Sequence, residues 1–254
     1  MLRRVSELRG VAVDATDGEI GHVEDVYFED QHWTVRHVAV RTGGWLDGRR
    51  VLIPPIALRG VDWRRHRLAV ALDRGRVGGS PQIGIDRPIS HGDEWTLLRY
   101  YGFPYDWGRE PPRRASTARA ARRGPDDPHL RSARETIGHA IEARDGHIGH
   151  LDDYLIDENL RNLRYLIVAT RDWWPGRKVL IAPDWVEWVS SVHADIHVDV
   201  VREAVRRAPE YDPSRPIDRD LERRLHEAHA RPPLDEDQRE AHRSQVADVP
   251  HPRE

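Results

Sequence analysis

The sequence predicts a mainly β protein with short helices, built as two tandem small β-barrels joined by a flexible linker. Three observations carry this reading. First, the chain is written twice. A shift of 128 residues lays Asp17-Gly18-Glu19-Ile20-Gly21-His22 on Asp145-Gly146-His147-Ile148-Gly149-His150, and Gly48-Arg49-Arg50-Val51-Leu52-Ile53 on Gly176-Arg177-Lys178-Val179-Leu180-Ile181. About 19 of the roughly 46 positions from Gly10 to Pro55 are identical in the second copy, with no gap. Second, short apolar runs alternate with Gly turns at close spacing, the pattern of a small closed sheet. Third, each run of strands is followed by helix signals.

Taken in order, Val11 and Val13 alternate in a first strand. Asp17-Gly18 then turns the chain, because Gly tolerates the positive φ of a tight hairpin. Ile20 to Phe28 and Val35 to Thr42 read as the next strands. Gly43-Gly44 and Asp47-Gly48 bracket Trp45 in a loop. Val51-Leu52-Ile53 is a wholly apolar run, hence a buried strand, and Pro54-Pro55 ends it because Pro donates nothing to a ladder. Leu68 to Leu72 gives one more strand. The expected cores are Val11, Val13, Ile20, Val38, Val40, Val51 and Ile53, with Ile148, Val168, Val179 and Ile181 in the second copy.

Ser90-x-x-Asp93 opens a helix to Tyr101, with Trp95, Leu98 and Tyr101 as its apolar positions. In the second copy Asp218 is the cap, and Leu221, Leu225 and Ala228 form the stripe. Val200 to Arg207 predicts a short helix, and its counterpart, Asp73 to Ser80, has a good cap but the weak body Gly75, Gly78, Gly79 and is expected to be shorter. The resulting division is residues 1–105 as the first barrel with its trailing helix, 106–134 as an Arg/Pro-rich linker, 135–232 as the second barrel with trailing helices, and 233–254 as a disordered polar tail.

Composition narrows the function classes. The net charge is -3, so no global field draws nucleic acid or anionic membrane. Six Arg stand between Arg109 and Arg123 against one acid, which leaves nucleic acid as a partner reached through the linker alone. No Cys is present, which excludes thiol chemistry. No apolar run approaches the roughly 18–20 residues of a membrane span, and Met1 to Val5 opens no secretory signal. The expected location is the cytoplasm.

Reactive constellations are weak. His139, His147 and His150 are close in sequence, and His193 and His197 have a spacing that metal sites use, but no metal site is assigned. His22 and His150, equivalent and beside a turn Gly, suggest a structural hydrogen bond. The carboxylate pairs Glu24-Asp25 and Asp152-Asp153 recur, yet neighbours on a strand point to opposite faces and cannot share a proton; solvated edges or turn caps are expected. Phosphate-loop, dinucleotide and nucleophile-elbow motifs are missing. Neither catalytic residues, cofactor nor small-molecule substrate is assigned.

Tryptophan is the sharper signal, with nine against two Phe. Trp45 and Trp173 are equivalent, and Trp174 adds a second indole. Each plugs a barrel end or anchors a partner. Trp and Arg dominate binding hot spots, so Trp45, Trp173 and Trp174, with Arg49 and Arg177, are the candidate protein-binding residues.

Leu8-Arg9-Gly10, Asp17-Gly18-x-Ile20-Gly21, Trp33-Thr34-Val35-Arg36 and Gly48 to Pro55 together resemble the PRC-barrel domain. That small barrel is named for the cytoplasmic domain of the photosynthetic reaction-centre H subunit, and a related barrel occurs in a ribosome-maturation factor. Asp145-Gly146-x-Ile148-Gly149, Val179 to Pro183 and Ala208 to Asp212 extend the resemblance to a tandem of two such barrels, of the stand-alone type. The resemblance implies the fold, and a non-enzymatic protein that docks a protein partner or self-associates. Its alternatives are a nucleic-acid or ribosome-associated accessory acting through the basic linker, or a peripheral partner of a photosynthetic-type membrane complex.

Overall fold

Gly and Pro punctuate the strands much as the sequence requires. The computed structural model describes residues 2–83, 89–103, 130–170 and 176–229. In the first repeat, β1 (Leu2–Arg4) is followed by β2 (Ala12–Ala15), β3 (Gly18–Glu29), β4 (Thr34–Thr42), β5 (Arg50–Ile53), β6 (Leu58–Asp62) and β7 (Arg67–Val70), then α1 (Arg74–Gly78) and α2 (His91–Tyr101). The second repeat runs β8 (Arg131–Ser132), α3 (Ala133–Thr136), β9 (Ala140–Ala143), β10 (Gly146–Asp157), β11 (Leu163–Ala169), β12 (Lys178–Ile181), β13 (Val186–Ser190), β14 (Asp195–Val198), α4 (Arg202–Arg207) and α5 (Arg219–Ala228). The sequence pattern shows neither β1 nor β6, which are short and carry no fully buried residue. Most of the stretch 106–134 and the tail 233–254 lie outside the described residues.

Two separate seven-stranded sheets form, with strand orders β5-β4-β3-β2-β7-β6 and β12-β11-β10-β9-β14-β13. These are the same path in each repeat. β2 pairs with β7 in parallel, as β9 does with β14. Every core residue expected from the sequence is buried, and Ile20 and Ile148 are both fully so. Gly21 and Gly149 show how closely the repeats match. Both have positive φ, and a Cβ would stand 2.0 Å from the carbonyl oxygen of Arg41 and 2.1 Å from that of Ala169. Only Gly lets these strands approach so tightly.

The repeats are not beads on a string. β3 has twelve residues and β2 four, so the far end of β3 outlasts its partner and leaves an edge. β8 of the second repeat fills it, with Arg131 opposite Phe28 and Ser132 opposite Tyr27. Reciprocally, β1 of the first repeat fills the edge of β10, with Arg3 opposite Ile156 and Arg4 opposite Leu155. The exchange closes edges that would otherwise invite other strands. It also places a strand inside the stretch read from its Arg/Pro composition as linker, since Leu130 to Ala133 are buried.

Between the repeats the β3–β4 and β10–β11 turns pair antiparallel. Thr34 bridges Asn162, Val35 N donates to the Arg161 carbonyl at 2.7 Å, and Leu163 N donates to the Trp33 carbonyl at 2.9 Å. Thr34 and Asn162 are themselves equivalent, so a pseudo-twofold axis passes between them. Beside it Trp33 stacks on Phe28 at 5.3 Å and meets Tyr154 at 6.1 Å, all three buried. The cores of both repeats form one continuous apolar cluster.

Candidate docking surface

Trp45 sits in the 3-10 turn Gly44–Leu46, half-buried. Its Nε1–H donates to the Ile20 carbonyl at 2.8 Å, and the Arg74 guanidinium lies over its ring at 4.6 Å. The indole therefore packs against the core and also meets an arginine. Arg49 Nη2 donates to the carbonyls of Gly78 at 3.1 Å and Ser80 at 2.9 Å, and to Ser80 Oγ at 3.0 Å. Arg177 repeats this clamp on the carbonyls of Arg206 and Ala208. Both arginines thus tie the end of the short trailing helix to its barrel, a role inside the fold. Trp173 and Trp174 lie outside the described residues.

The surface that sequence reasoning missed is on α2. Ser90 and Asp93 form a reciprocal capping box, as their spacing predicts. Glu94 then reaches inward to Arg36 Nε at 2.6 Å, with both side chains almost wholly buried. Leu97, Leu98 and Tyr101 join the core, and burial pushes the Tyr101 hydroxyl up to about 12. A helix whose inner face is Glu94, Leu97, Leu98 and Tyr101 turns residue 95 outward. Trp95 is 46% exposed and Tyr100 38%, so of the apolar positions Trp95, Leu98 and Tyr101 only the last two face the core. Arg99 lies over the Trp95 ring at 5.0 Å, and the Tyr100 hydroxyl donates to the Arg76 carbonyl on α1 at 2.8 Å. Trp45 packs beside Gly78 and Tyr100 beside Gly79, so the two aromatics flank α1. The buried Glu94 was the available clue, because an inward carboxylate resets which helix positions face water.

The carboxylate pairs also resolve differently from expectation. Of each pair, one member is buried and bonded across the repeat boundary. Asp25 accepts from Ser132 Oγ at 2.5 Å and from Arg134 N at 3.0 Å, and Asp153 accepts from Ser6 Oγ at 2.5 Å and Ser6 N at 3.2 Å. Burial raises both carboxyls above the usual range, and these hydrogen bonds only partly oppose it. The outward members meet cations: Glu24 with Arg41 and Arg50, Asp152 with Arg4 and Lys178. Burial works against Glu24, yet Arg50 and Arg41 hold it below the usual range. These acids are neither solvated edges nor simple turn caps, because Ser132, Arg134 and Ser6 bond the buried members across the repeat boundary and cations hold the outward ones.

His22 is exposed and its side chain makes no hydrogen bond among the described residues, and His150 meets the His147 ring edge-on at 5.3 Å. Among the described residues, no group of three or more His, Cys, Asp or Glu is arranged to hold a metal ion. A hollow between Val5, Leu8, Val23, Val26 and Ile137 leaves only about 10 Å³, room for about one water and far too little for a small-molecule ligand. No helix among the described residues is long and apolar enough to cross a membrane.

The family model described as the PRC-barrel domain matches residues 2–76. No curated protein matches the chain.

Proposed function

We propose that this chain, whose residues 2–76 match the family model of the PRC-barrel domain, is a non-enzymatic docking module in which two such barrels are fused as one pseudo-symmetric body. PRC-barrel domains are general protein-interaction and assembly modules. The same strand order, the equivalent tight glycines and the reciprocal strand exchange support reading the second repeat as a second barrel of the kind.

One observation carries the choice of surface. Trp95 and Tyr100 stand exposed on a helix that a buried ion pair holds in place. A rigid aromatic anchor beside an arginine is the composition of a binding hot spot. Trp45, with Arg74 on its ring, borders this surface, and Trp173 and Trp174 are its proposed counterpart in the second repeat. Arg49 and Arg177 support it by fixing the trailing helices.

Site-specific photocrosslinking in the native host tests this. A crosslinking residue in place of Thr96, exposed beside an intact Trp95, is expected to capture a protein partner, whereas one in place of Arg224, the equivalent of Thr96 on α5, captures none. Equal capture at both positions, or capture at neither, would overturn the surface. Trp95→Ala is expected to abolish capture through a crosslinker at position 100 while changing stability by less than about 1 kcal/mol, because the side chain packs little.

A further inference from the structure

The two repeats carry one row of outward side chains that the duplication treated in opposite ways. In the first repeat Asp14 on β2, Glu19 on β3 and Arg67 on β7 share the outer face of the sheet, since Val13 and Leu68 between them point into the core. Arg67 is an internal cation for that row. Its Nε donates to Asp14 Oδ2 at 2.5 Å, Nη2 donates to Asp14 Oδ1, and Nη2 also reaches Glu19 Oε2 at 2.8 Å. One planar guanidinium thus closes a two-carboxylate slot with a bidentate pair.

At the equivalent places the second repeat has Glu142, His147 and Asp195. Glu142 pairs in register with His147, and His197 on β14 lies in register with Glu142. Ile141 and Ile196 are fully buried, so this row also faces outward. The guanidinium is gone, and a second carboxylate stands where it was rooted. The remaining contacts are modest: His147 Nδ1 lies 2.9 Å from Glu142, and His197 Nε2 lies 3.4 Å from Asp195. Asp195 Oδ1 is removed from solvent and has no hydrogen-bond partner among the described residues. Where the first repeat has Gly60 and Ala69, the second has Trp188 and His197, stacked at 3.9 Å. The row has therefore exchanged its arginine for Asp195 and Glu19 for His147, so it keeps two carboxylates without the guanidinium that bridged them, and it has gained an aromatic wall.

We infer that this outer face of the second repeat is a docking slot for an arginine side chain of a partner polypeptide, placed as Arg67 is placed in the first repeat. Charge complementarity selects the occupant. Two carboxylates on neighbouring paired strands of one face match a planar fork better than a point charge, and a guanidinium also lies well against an indole. Lysine offers one ammonium and no fork, so it is the poorer ligand. This slot is separate from Trp95, and either surface can fail while the other stands.

Labelled penta-arginine and penta-lysine peptides, followed by fluorescence anisotropy on the intact protein at low salt, test the slot. Penta-arginine is expected to bind more tightly than penta-lysine and to shift the NMR signals of the Trp188 indole and His197 imidazole. Asp195→Arg rebuilds the first repeat's internal ion pair and is expected to weaken binding at least about tenfold, the loss of one charge-assisted pair. Glu227→Arg, the same charge change on α5, should leave affinity within about twofold, since a surface charge outside the slot acts only through the screened field. The slot is overturned if Asp195→Arg binds penta-arginine as tightly as the unmodified protein, or if the peptide moves signals only elsewhere. Binding that emerges only after deletion of residues 109–123 would overturn the partner as occupant, by showing the slot already filled by the chain's own arginines.

Discussion

The helices that close the two repeats occupy equivalent places and turn equivalent faces to solvent, but the chemistry of those faces differs. α2 turns Trp95 and Tyr100 outward and anchors itself through the buried Glu94–Arg36 pair. α5 turns Arg223, Arg224, Asp220 and Glu227 outward in a mesh of exposed ion pairs, and its Glu222, the equivalent of Glu94, accepts from the Tyr165 hydroxyl at 3.0 Å. Inside, both helices do one job. Outside, one is aromatic and the other is a solvated charge lattice. The barrel dictates the inner face through packing, and packing places no demand on the outer one. Functional difference between the repeats must therefore be sought on surfaces where equivalent residues part company.

The largest test of that comparison breaks the two inner anchors. Glu94→Ala leaves the Arg36 guanidinium buried without its carboxylate, expected to cost about 3–5 kcal/mol. Glu222→Ala removes a neutral–charged hydrogen bond at a half-exposed site, expected to cost about 1–2 kcal/mol. Chemical denaturation of each variant measures both. Equal losses would show that the helices are held alike and that only their surfaces differ.

Next in size is a pair of substitutions that should not distinguish the repeats. Gly21→Ala and Gly149→Ala each place a methyl group at hard contact with a backbone carbonyl, at a positive φ. Each is expected to cost about 2–3 kcal/mol through strain and overpacking. The two values should agree within error. A marked inequality would mean that one barrel relaxes where its twin cannot.

Much of this architecture is legible along the chain, and the parts that are not share a cause. Asp17-Gly18 and Asp145-Gly146 announce hairpins, Val51 to Ile53 announces a buried strand, and Ser90 and Asp218 announce helix caps, because each signal is local. The exchange of β1 and β8 is invisible for the opposite reason. Arg131 and Ser132 look like linker, and only the unpaired far end of β3, brought from 100 residues away, makes them a strand. The burial of Trp33 has no local signal, because Tyr154 of the other repeat supplies part of its surroundings. Among the candidate site residues, Trp45 is placed at the border of the proposed surface. Arg49 and Arg177 prove to be clamps, because sequence distinguishes a hot-spot arginine from a structural one only once the nearby carbonyls are known.

The smallest expected effect tests whether the boundary between the repeats is as symmetric as its geometry. Asp25 and Asp153 are buried at equivalent places, and burial raises both carboxyls in the native state. A native carboxyl raised above its unfolded value holds its proton longer than the unfolded chain does. Between the ordinary carboxylate value, about 4, and the raised native value, the native state binds more protons, so each aspartate makes stability fall as pH rises. Glu24, held below its ordinary value by Arg50 and Arg41, acts the other way, and its contribution is lost as pH falls. Urea denaturation of Asp25→Asn and Asp153→Asn across this window should therefore show less stability lost with rising pH than the unmodified protein. The two variants should flatten the profile alike. Arg4 lies 3.6 Å from Asp153, whereas Arg134 contributes a backbone N–H to Asp25 at 3.0 Å, so a profile flattened by one substitution alone would show that these differing arginines, and not the shared burial, set the titration at the boundary.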